Sequence, residues 1–326
     1  MLYYNDWCSL NYIEDRIRIN VNVKEDDVLN VLSLTLDNIF NKSVKNAISV
    51  VGNNPVICLS GGIDSQATLD IWKKSGLPFT AITFDFGNNF NSDELKDALS
   101  YARFLNVPVE VIKLDVMRFL FYDLQEFSQR YKMLSPQFCV HAYFIEHIKS
   151  LGYTGVIMGG NGFILEESSV EFHVTSAQLL DIEKYSTASN FPVIPSFLSF
   201  DQDLCLLLSI KTPIISSVET TDHTTRNYDT LTKSLNSHNI FVPKSRYTSK
   251  IQSYTKLGLQ LKPQSTKKTG FEQLKKYYNS LNRSDLAFDR EFRLPLLNRI
   301  PEVLVETHID KDVKNVILKL AGQLNP

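Results

Sequence analysis

The stretch VICLSGGIDSQATLDIW, at residues 56–72, changes character twice. It begins with β-branched apolar residues, continues with two glycines among polar residues, and ends with apolar residues at every fourth position. Adjacent glycines lose much backbone entropy on folding, so a geometric requirement is the expected reason for Gly61 and Gly62. The stretch therefore predicts a buried strand, a tight turn and the start of a helix.

The alternation of strand and helix patterns continues after this stretch. Short apolar runs predict further strands at residues 79–84, 107–114 and 154–158, and the segments between them carry an apolar face with helical spacing. Strands separated by helices form βαβ units with right-handed crossovers. The sequence thus predicts an α/β fold with a parallel, doubly wound sheet and a smaller, mostly helical C-terminal region.

The alternation fades after about residue 165, where Ser, Thr, Asn and Pro become frequent. We therefore predict an N-terminal strand segment at residues 1–25, a sheet domain at 26–165 and a helical accessory region at 166–326. Within the last region, helical patterns are present at residues 201–210, 270–281 and 301–321.

The overall composition is that of an ordinary globular protein. Of the 326 residues, 43% are hydrophobic and 21% are charged, and the net charge is −2. These values argue against global disorder and against a strongly basic nucleic-acid-binding protein. The chain start has no leader pattern, and no apolar run approaches the roughly 18 residues that span a bilayer. Four widely spaced cysteines without a C-x-x-C pair favour a reducing compartment, so we expect a cytoplasmic protein without membrane contact.

The turn SGGIDS, at residues 60–65, has the properties of an anion site. Backbone N–H groups at the start of a helix point outward, and the helix dipole adds about half a positive charge. Ser60 and Ser65 add hydroxyl donors on either side. No lysine follows the glycines, which excludes the G-x-x-x-x-G-K-[ST] loop of common NTPases. Ligands of parallel sheets sit at the carboxyl ends of strands, where DFGNNF (85–90) and GGNGF (159–163) also lie.

The run LSGGIDSQ resembles the S-G-G-x-D-S signature of the N-type ATP pyrophosphatases, the PP-loop superfamily, which have an adenine nucleotide α-hydrolase-like (HUP) fold. Members bind ATP, adenylate a carboxylate or carbonyl oxygen and release pyrophosphate. The resemblance implies ATP and Mg²⁺ as cofactors, with Asp64 as a catalytic residue and a magnesium ligand. It also implies that the β- and γ-phosphates are held by Ser60, Gly61, Gly62, Asp64 and Ser65.

The other two loops have counterparts in the same superfamily. The end of the second strand lines the adenine pocket there through main-chain groups, which implies this role for Thr83 and Phe84. Gly159 and Gly160 resemble the second phosphate-facing turn. These assignments place the base and the phosphates of one nucleotide along a single edge of the sheet.

The longer context at residues 47–72 resembles the synthetase domain of asparagine synthetase and β-lactam synthetase. That branch places a catalytic lysine in a K-x-x-F context, which implies Lys268 as a catalytic residue that stabilises developing charge. The loop GGNGF departs from the S-G-E-G-[AS]-D-E of that branch, and the glutaminase half is missing because Leu2 follows the initiator Met. The resemblance implies an amidotransferase-like ligase that joins an adenylated carboxylate or carbonyl oxygen to an amine or ammonia.

Two other classes of function stay open at this point. One is a PP-loop enzyme that modifies a nucleobase, by thiolation of tRNA or DNA or in the deazaguanine manner. A thiolating enzyme would use a thiolate for sulfur transfer, for which Cys139 is the candidate. Residues 244–283 contain ten Lys or Arg against one acid, a stretch that suits a polynucleotide, the phosphates of ATP or plain solvent. A nucleotide-binding module without chemistry is the third class, and a homo-oligomer is left open.

Overall fold

A computed structural model of the chain describes residues 2–3, 7–13, 16–133, 136–160, 163–166, 169–172, 176–211, 246–262, 270, 273, 304–308 and 311–324. The strands are β1 (Leu2–Tyr3), β2 (Cys8–Ile13), β3 (Arg16–Val21), β4 (Pro55–Cys58), β5 (Thr80–Asp85), β6 (Val109–Lys113), β7 (Gly155–Met158), β8 (Phe163–Glu166), β9 (Ser169–Phe172), β10 (Val193–Ile194) and β11 (Leu304–His308).

The helices cover most of the remaining described residues. They are α1 (Glu25–Ser33), α2 (Leu36–Val51), α3 (Ile63–Ser75), α4 (Ser92–Phe104), α5 (Val116–Arg118), α6 (Leu124–Tyr131), α7 (Pro136–Ser150), α8 (Ser176–Ser189), α9 (Gln202–Lys211), α10 (Arg246–Lys256) and α11 (Lys311–Leu324). A π-helical turn (Phe119–Asp123) joins α5 to α6, and a 3-10 turn (Phe197–Ser199) precedes α9. Within the described residues, these helices lack the combined length and apolar character that crossing a membrane requires.

The central sheet of the described chain has five parallel strands in the order β10-β7-β4-β5-β6. Strand β4 lies in the middle, and Val56 pairs with Thr80 on one side and with Val156 on the other. This arrangement confirms the predicted α/β fold with a parallel sheet. The edge strand β10 follows residue 165, so the sheet takes one of its strands from beyond the domain boundary predicted there.

Both faces of the sheet are covered by helices, as expected for a doubly wound fold. Alternate residues of β4 point to opposite faces, so Ile57 belongs to an apolar cluster with helices α1–α4, and Val56 to a second cluster with α5–α8. Both side chains are fully buried. Burial on both faces explains why these strands read as continuous apolar runs rather than as alternating ones.

A second sheet joins the two ends of the chain, in the order β1-β2-β3-β11. Strand β11 runs parallel to β3, with Val305 opposite Ile17. The prediction of a helix over residues 301–321 is wrong in its first part, because a strand occupies Leu304–His308 and the helix begins at Lys311. The short run is rich in β-branched residues, and pairing with β3 decides its conformation. The rest of the described C-terminal region is mostly helical, as predicted.

Candidate active site

The turn between β4 and α3, residues 59–62, requires glycine at its third position, Gly61. Gly61 has φ +81°, in the left-handed region that L-residues rarely adopt. A Cβ on Gly61 would lie 2.8 Å from the carbonyl oxygen of Glu94 and 2.9 Å from the amide nitrogen of Ala98, both on α4. The elbow, as we call residues Ser60–Ser65, is therefore pressed against α4 on its inner side.

The other glycine of the elbow, Gly62, is in a different situation. It has an ordinary φ of −68° and is the residue before the first turn of α3. Among the described residues, only the hydroxyl of Ser60 comes within 4 Å of a Cβ built on Gly62, at 3.4 Å. Because the first N–H groups of a helix have no partner within it, this side of the elbow offers donors to a ligand.

The two serines of the elbow hold the turn together. The Ser65 hydroxyl donates to the carbonyl oxygen of Gly62 (2.8 Å) and accepts from the amide of Ser60 (3.2 Å). The Ser60 hydroxyl accepts from the amide of Gly62 (3.3 Å), and it is 3.1 Å from the Ser65 hydroxyl. Ser65 is buried and Ser60 is exposed. Ser60 is thus the hydroxyl that a ligand can reach, and Ser65 acts mainly on the shape of the turn.

Asp64, on the first turn of α3, contacts two side chains of α10. The Tyr254 hydroxyl donates to Oδ1 (2.5 Å), and the Lys250 ammonium lies 3.2 Å from Oδ2 and 3.4 Å from Oδ1. Burial, followed by the charge of Asp64, raises the pKa of Tyr254 well above its usual 10, so the phenol stays protonated. The sequence analysis did not single out either residue as a partner of Asp64; their spacing of four on one helix was the available signal.

A buried side chain of α3, Gln66, fixes the segment that follows α10. Its amide nitrogen donates to the carbonyl oxygens of Gly61 (2.7 Å) and Lys262 (2.8 Å), and its oxygen accepts from the Lys262 amide (2.8 Å). Asp70 accepts from the amide of Gln260 (2.7 Å). Because both groups are nearly inaccessible to solvent, these bonds are costly to break. They hold the chain around residues 260–262 against the helix that begins at the elbow.

The loop after β7 also packs directly on the elbow. A Cβ on Gly159 would lie 2.6 Å from the Ser65 amide nitrogen, and one on Gly160 would lie 2.3 Å from the hydroxyl of Ser196. Both positions therefore need glycine for close packing, whatever else they contact. The structure brings Gly159 to the elbow, as the sequence indicated, whereas residues 161–162 of this loop lie outside the described residues.

A cavity of about 190 Å³ opens next to the elbow, between the ends of β4, β5 and β7. Its walls include Ser60, Thr83, Phe84, His141 and Met158. The Phe84 ring stacks on Phe144 with centroids 4.2 Å apart, which gives one wall a rigid aromatic surface. Burial lowers the pKa of His141 to about 4, so its imidazole is neutral near pH 7. The two residues expected at a base pocket, Thr83 and Phe84, thus line a real cavity.

The surroundings of Asp64 do not fit the magnesium ligand that the sequence analysis implied. Its two oxygens are already contacted by the Lys250 ammonium group and the Tyr254 phenol, and a magnesium ion, which prefers oxygen ligands, would meet the positive charge of that ammonium. Within the described residues, no group of three or more His, Cys, Asp or Glu side chains is placed to hold a metal ion. Lys268 lies outside the described residues, so its predicted role is untested.

The described lysines of the basic stretch at residues 244–283 face different neighbours. Lys250 contacts Asp64, and the Lys262 ammonium bonds to the Ser100 hydroxyl. Burial and the nearby charge of Lys211 lower the pKa of Lys256. The described part of the stretch therefore spreads its charge over several surfaces and places only Lys250 at the elbow.

Cys139, the candidate thiolate, is predicted to be unreactive in the folded protein. It is fully buried in the apolar layer beneath α7, and burial, with a smaller contribution from the charge of Asp181, raises its pKa above the usual value. We expect iodoacetamide at pH 8 to leave Cys139 unlabelled for hours in the native protein and to label it within minutes in guanidinium, as read by peptide mass spectrometry. Fast labelling of native Cys139 would restore it as a sulfur-transfer candidate.

Comparison with known proteins gives one family match. The model of the family described as queuosine biosynthesis protein QueC matches residues 54–125, which contain β4, the elbow and the loop after β5. The match supports the PP-loop ATP pyrophosphatase superfamily. It covers less than a quarter of the chain and shows no link to asparagine synthetase in particular. No protein among curated sequences matches this chain significantly.

Solved structures with some similarity include three enzymes. NMN synthetase from Francisella tularensis is 18% identical over 73% of this chain and 98% of that chain, with a TM-score of 0.30. NH3-dependent NAD synthetase from Campylobacter jejuni is 20% identical over 39% and 58%, with a TM-score of 0.28. The U34-tRNA thiolase NcsA from Methanococcus maripaludis is 16% identical over 39% and 45%, with a TM-score of 0.29. The chain thus spans less than two thirds of the last two, and similarities this low assign no activity.

Proposed function

We propose that this protein is an ATP-dependent enzyme that adenylates a carboxylate or carbonyl oxygen and releases pyrophosphate. The observation that carries the proposal is that Ser60 of the elbow lines the same cavity as Thr83 and Phe84. The elbow suits phosphates, and the cavity suits a base, so one nucleotide can extend from one to the other. A glycine turn that only joined strand to helix would not require such a cavity beside it.

The phosphate end of the proposed site uses main-chain donors. The N–H groups of the first turn of α3, the dipole of that helix and the Ser60 hydroxyl all favour an anion at the elbow. Of the other signature residues, Ser65 shapes the turn and Asp64 contacts Lys250, and Gly159 of the second loop packs on the elbow. Held by its two outer phosphates, ATP would present its α-phosphorus to an acceptor, and those phosphates would leave together. We propose that magnesium arrives with ATP as the counterion of its phosphates.

The base end of the proposed site is the cavity beside the elbow. Phe84 offers an aromatic wall, and Asn91 fixes the loop behind it by donating to the Phe84 carbonyl oxygen (2.7 Å) and accepting from the Phe86 amide (2.9 Å). A pocket with apolar walls and a few fixed polar groups is the usual form of a small-molecule site. We therefore propose adenine as its occupant.

The small-molecule substrates in this proposal are the carboxylate or carbonyl compound that is adenylated and an amine or ammonia that attacks it. An asparagine synthetase-like ligase would use ammonia or an amine as the nucleophile, with Lys268 as a catalytic lysine. A cytoplasmic location agrees with this chemistry, and the chain could act as a homo-oligomer. The ligase type and the role of Lys268 rest on the sequence resemblance, and the location rests on the cysteine usage.

The second candidate function is nucleobase modification. The match of residues 54–125 to a queuosine biosynthesis family favours it, and so does the basic character of residues 244–283, which would suit a polynucleotide. Sulfur transfer through Cys139 is its least supported form, because that thiol is buried with a raised pKa. Both candidates share the adenylation step and differ in the acceptor.

A pyrophosphate-release screen tests the proposal and separates the candidates. ATP and magnesium are incubated with pooled carboxylates and amino acids plus ammonium, with nucleobases plus ammonium, and with RNA, each in its own reaction. We expect one pool to raise pyrophosphate release at least tenfold, and the pool identifies the class of acceptor. Gly62→Val, which fills the open side of the elbow, should abolish the release. Lys45→Gln, at an exposed residue of α2, is the control and should keep it. ATP binding without release in every pool would mean a binding module and would contradict the proposal.

A further inference from the structure

The pair formed by Asp64 and Lys250 points to a role for both residues that the signature alone does not give. We propose that Asp64 is a positioning residue, and that the Lys250 ammonium it holds supplies the positive charge beside the elbow. In this arrangement the charge comes from the chain and not from a metal ion bound by Asp64. The inference rests on the proposed function, because the charge matters for a phosphate at the elbow.

The contacts of the Asp64 carboxylate are unfavourable to a bound metal ion. Tyr254 donates to Oδ1 at 2.5 Å, and the Lys250 ammonium lies 3.2 Å from Oδ2, so each oxygen faces a donor. A cation that bound Asp64 would lie next to an ammonium group that carries a charge of the same sign. The pair is accessible enough for a ligand to meet it, since 16% of the Lys250 side chain and 25% of the Asp64 side chain are exposed.

Helix α10, which carries Lys250, is a fixed part of the core. Ile251 and Leu257 are buried, and the buried Ser253 hydroxyl donates to the carbonyl oxygen of Leu208 on α9 (3.2 Å). The chain just after α10 is held to α3 by Gln66. Lys250 is therefore delivered to the elbow by packing, and only its flexible side chain can move relative to Asp64.

The charges explain why the pair is useful at a phosphate site. An unpaired carboxylate on the first turn of α3 would repel the phosphates that the elbow attracts, and Lys250 compensates that charge. In the adenylation step, an acceptor oxygen bonds to the α-phosphorus, the bond from that phosphorus to the bridging oxygen breaks, and the electron pair stays on the leaving pyrophosphate. An ammonium held next to the elbow stabilises the charge that develops there. Tyr254 keeps its proton and orients the carboxylate.

The test is a calorimetric titration with inorganic pyrophosphate, first in EDTA and then at increasing magnesium. In EDTA we expect the wild type to bind, Lys250→Gln to bind about tenfold to a hundredfold more weakly, and Lys250→Arg to stay within about fivefold. The affinity of Asp64→Asn for pyrophosphate should stay within about threefold of that of the wild type. The substitution removes a charge that repels pyrophosphate and also the anchor of Lys250, and these two effects oppose each other. The double variant Lys250→Gln/Asp64→Asn should bind pyrophosphate at least threefold more tightly than Lys250→Gln alone, because it no longer has an unpaired carboxylate. Lys256→Gln, on the same helix but facing Lys211, should behave as the wild type.

Several outcomes would overturn the inference. One is a wild-type protein that does not bind pyrophosphate in EDTA, and another is a Lys250→Gln variant that binds it as tightly as the wild type. The third is a half-saturating magnesium concentration that rises tenfold or more in Asp64→Asn. The titration of the wild-type protein in EDTA tests the inference even where a variant fails to fold. Pyrophosphate binding of the expected pattern without ATP turnover would contradict the proposed function alone. Turnover together with a magnesium requirement that depends on Asp64 would contradict this inference alone.

Discussion

Replacing Gly61 by alanine is expected to lower the free energy of unfolding by about 3 kcal/mol, whereas Gly62→Ala should change it by about 1 kcal/mol or less. Alanine at φ +81° is strained, and its methyl group would meet the Glu94 carbonyl oxygen at 2.8 Å. Backbone atoms of α4 cannot yield without moving the helix. Gly62 has an ordinary φ, and its added methyl group would meet only the Ser60 hydroxyl among described atoms.

Denaturant titration of both variants measures this difference, with ATP titration as the second readout. Gly62→Ala should keep its stability but bind ATP at least tenfold more weakly, because the methyl group lies on the side from which phosphates approach. For Gly61→Ala, the main effect should be the loss of stability. Equal stability loss in the two variants would contradict the packing difference between Gly61 and Gly62. Normal ATP binding by Gly62→Ala would show that the open side of the elbow is not the phosphate side.

Asp64→Asn is expected to reduce ATP turnover at least a hundredfold without unfolding the protein. The amide is neutral, so it no longer holds the Lys250 ammonium at 3.2 Å, and the charge that stabilises the leaving pyrophosphate is misplaced. The loss should fall on kcat, with the dissociation constant of ATP nearly unchanged, since the main-chain donors of the elbow remain.

Steady-state kinetics with the acceptor found in the screen, together with ATP titration, separates these effects. Asp93→Asn, which neutralises an exposed carboxylate on α4, is the matched control and should keep full turnover. Unchanged turnover in Asp64→Asn would exclude the proposed phosphate site. A loss confined to ATP affinity would show that Asp64 contacts the nucleotide or its metal directly.

The central sheet could be predicted from the sequence because its strands are buried on both faces. Runs such as VICL at residues 56–59 have few alternatives once helical patterns flank them. Strand β10 is two residues long and carries no periodicity, so it could not be recognised. Strand β11 was read as helix because a short apolar run does not distinguish the two, and only its pairing with β3 settles the matter.

The elbow could be predicted for a similar reason, since its signature is local. Its partners could not, because Lys250 and Tyr254 lie 186 and 190 residues away from Asp64 in the chain. The basic stretch drew attention to the right segment, but charge count alone does not say which lysine reaches the elbow. For Gly159 and Gly160, the resemblance implied a turn that faces phosphate. In the structure, their close packing against Ser65 and Ser196 is already a sufficient reason for glycine at both positions.

The most direct test of the account is the comparison of ATP, inorganic pyrophosphate and AMP in calorimetric titrations of the wild-type protein. The account predicts that ATP with magnesium binds with a dissociation constant below about 1 mM, in the range usual for enzyme substrates. Pyrophosphate should compete with ATP, and AMP should bind at least tenfold more weakly, because it lacks the two phosphates that the elbow holds. AMP binding as tight as that of ATP, or no ATP binding at all, would contradict it.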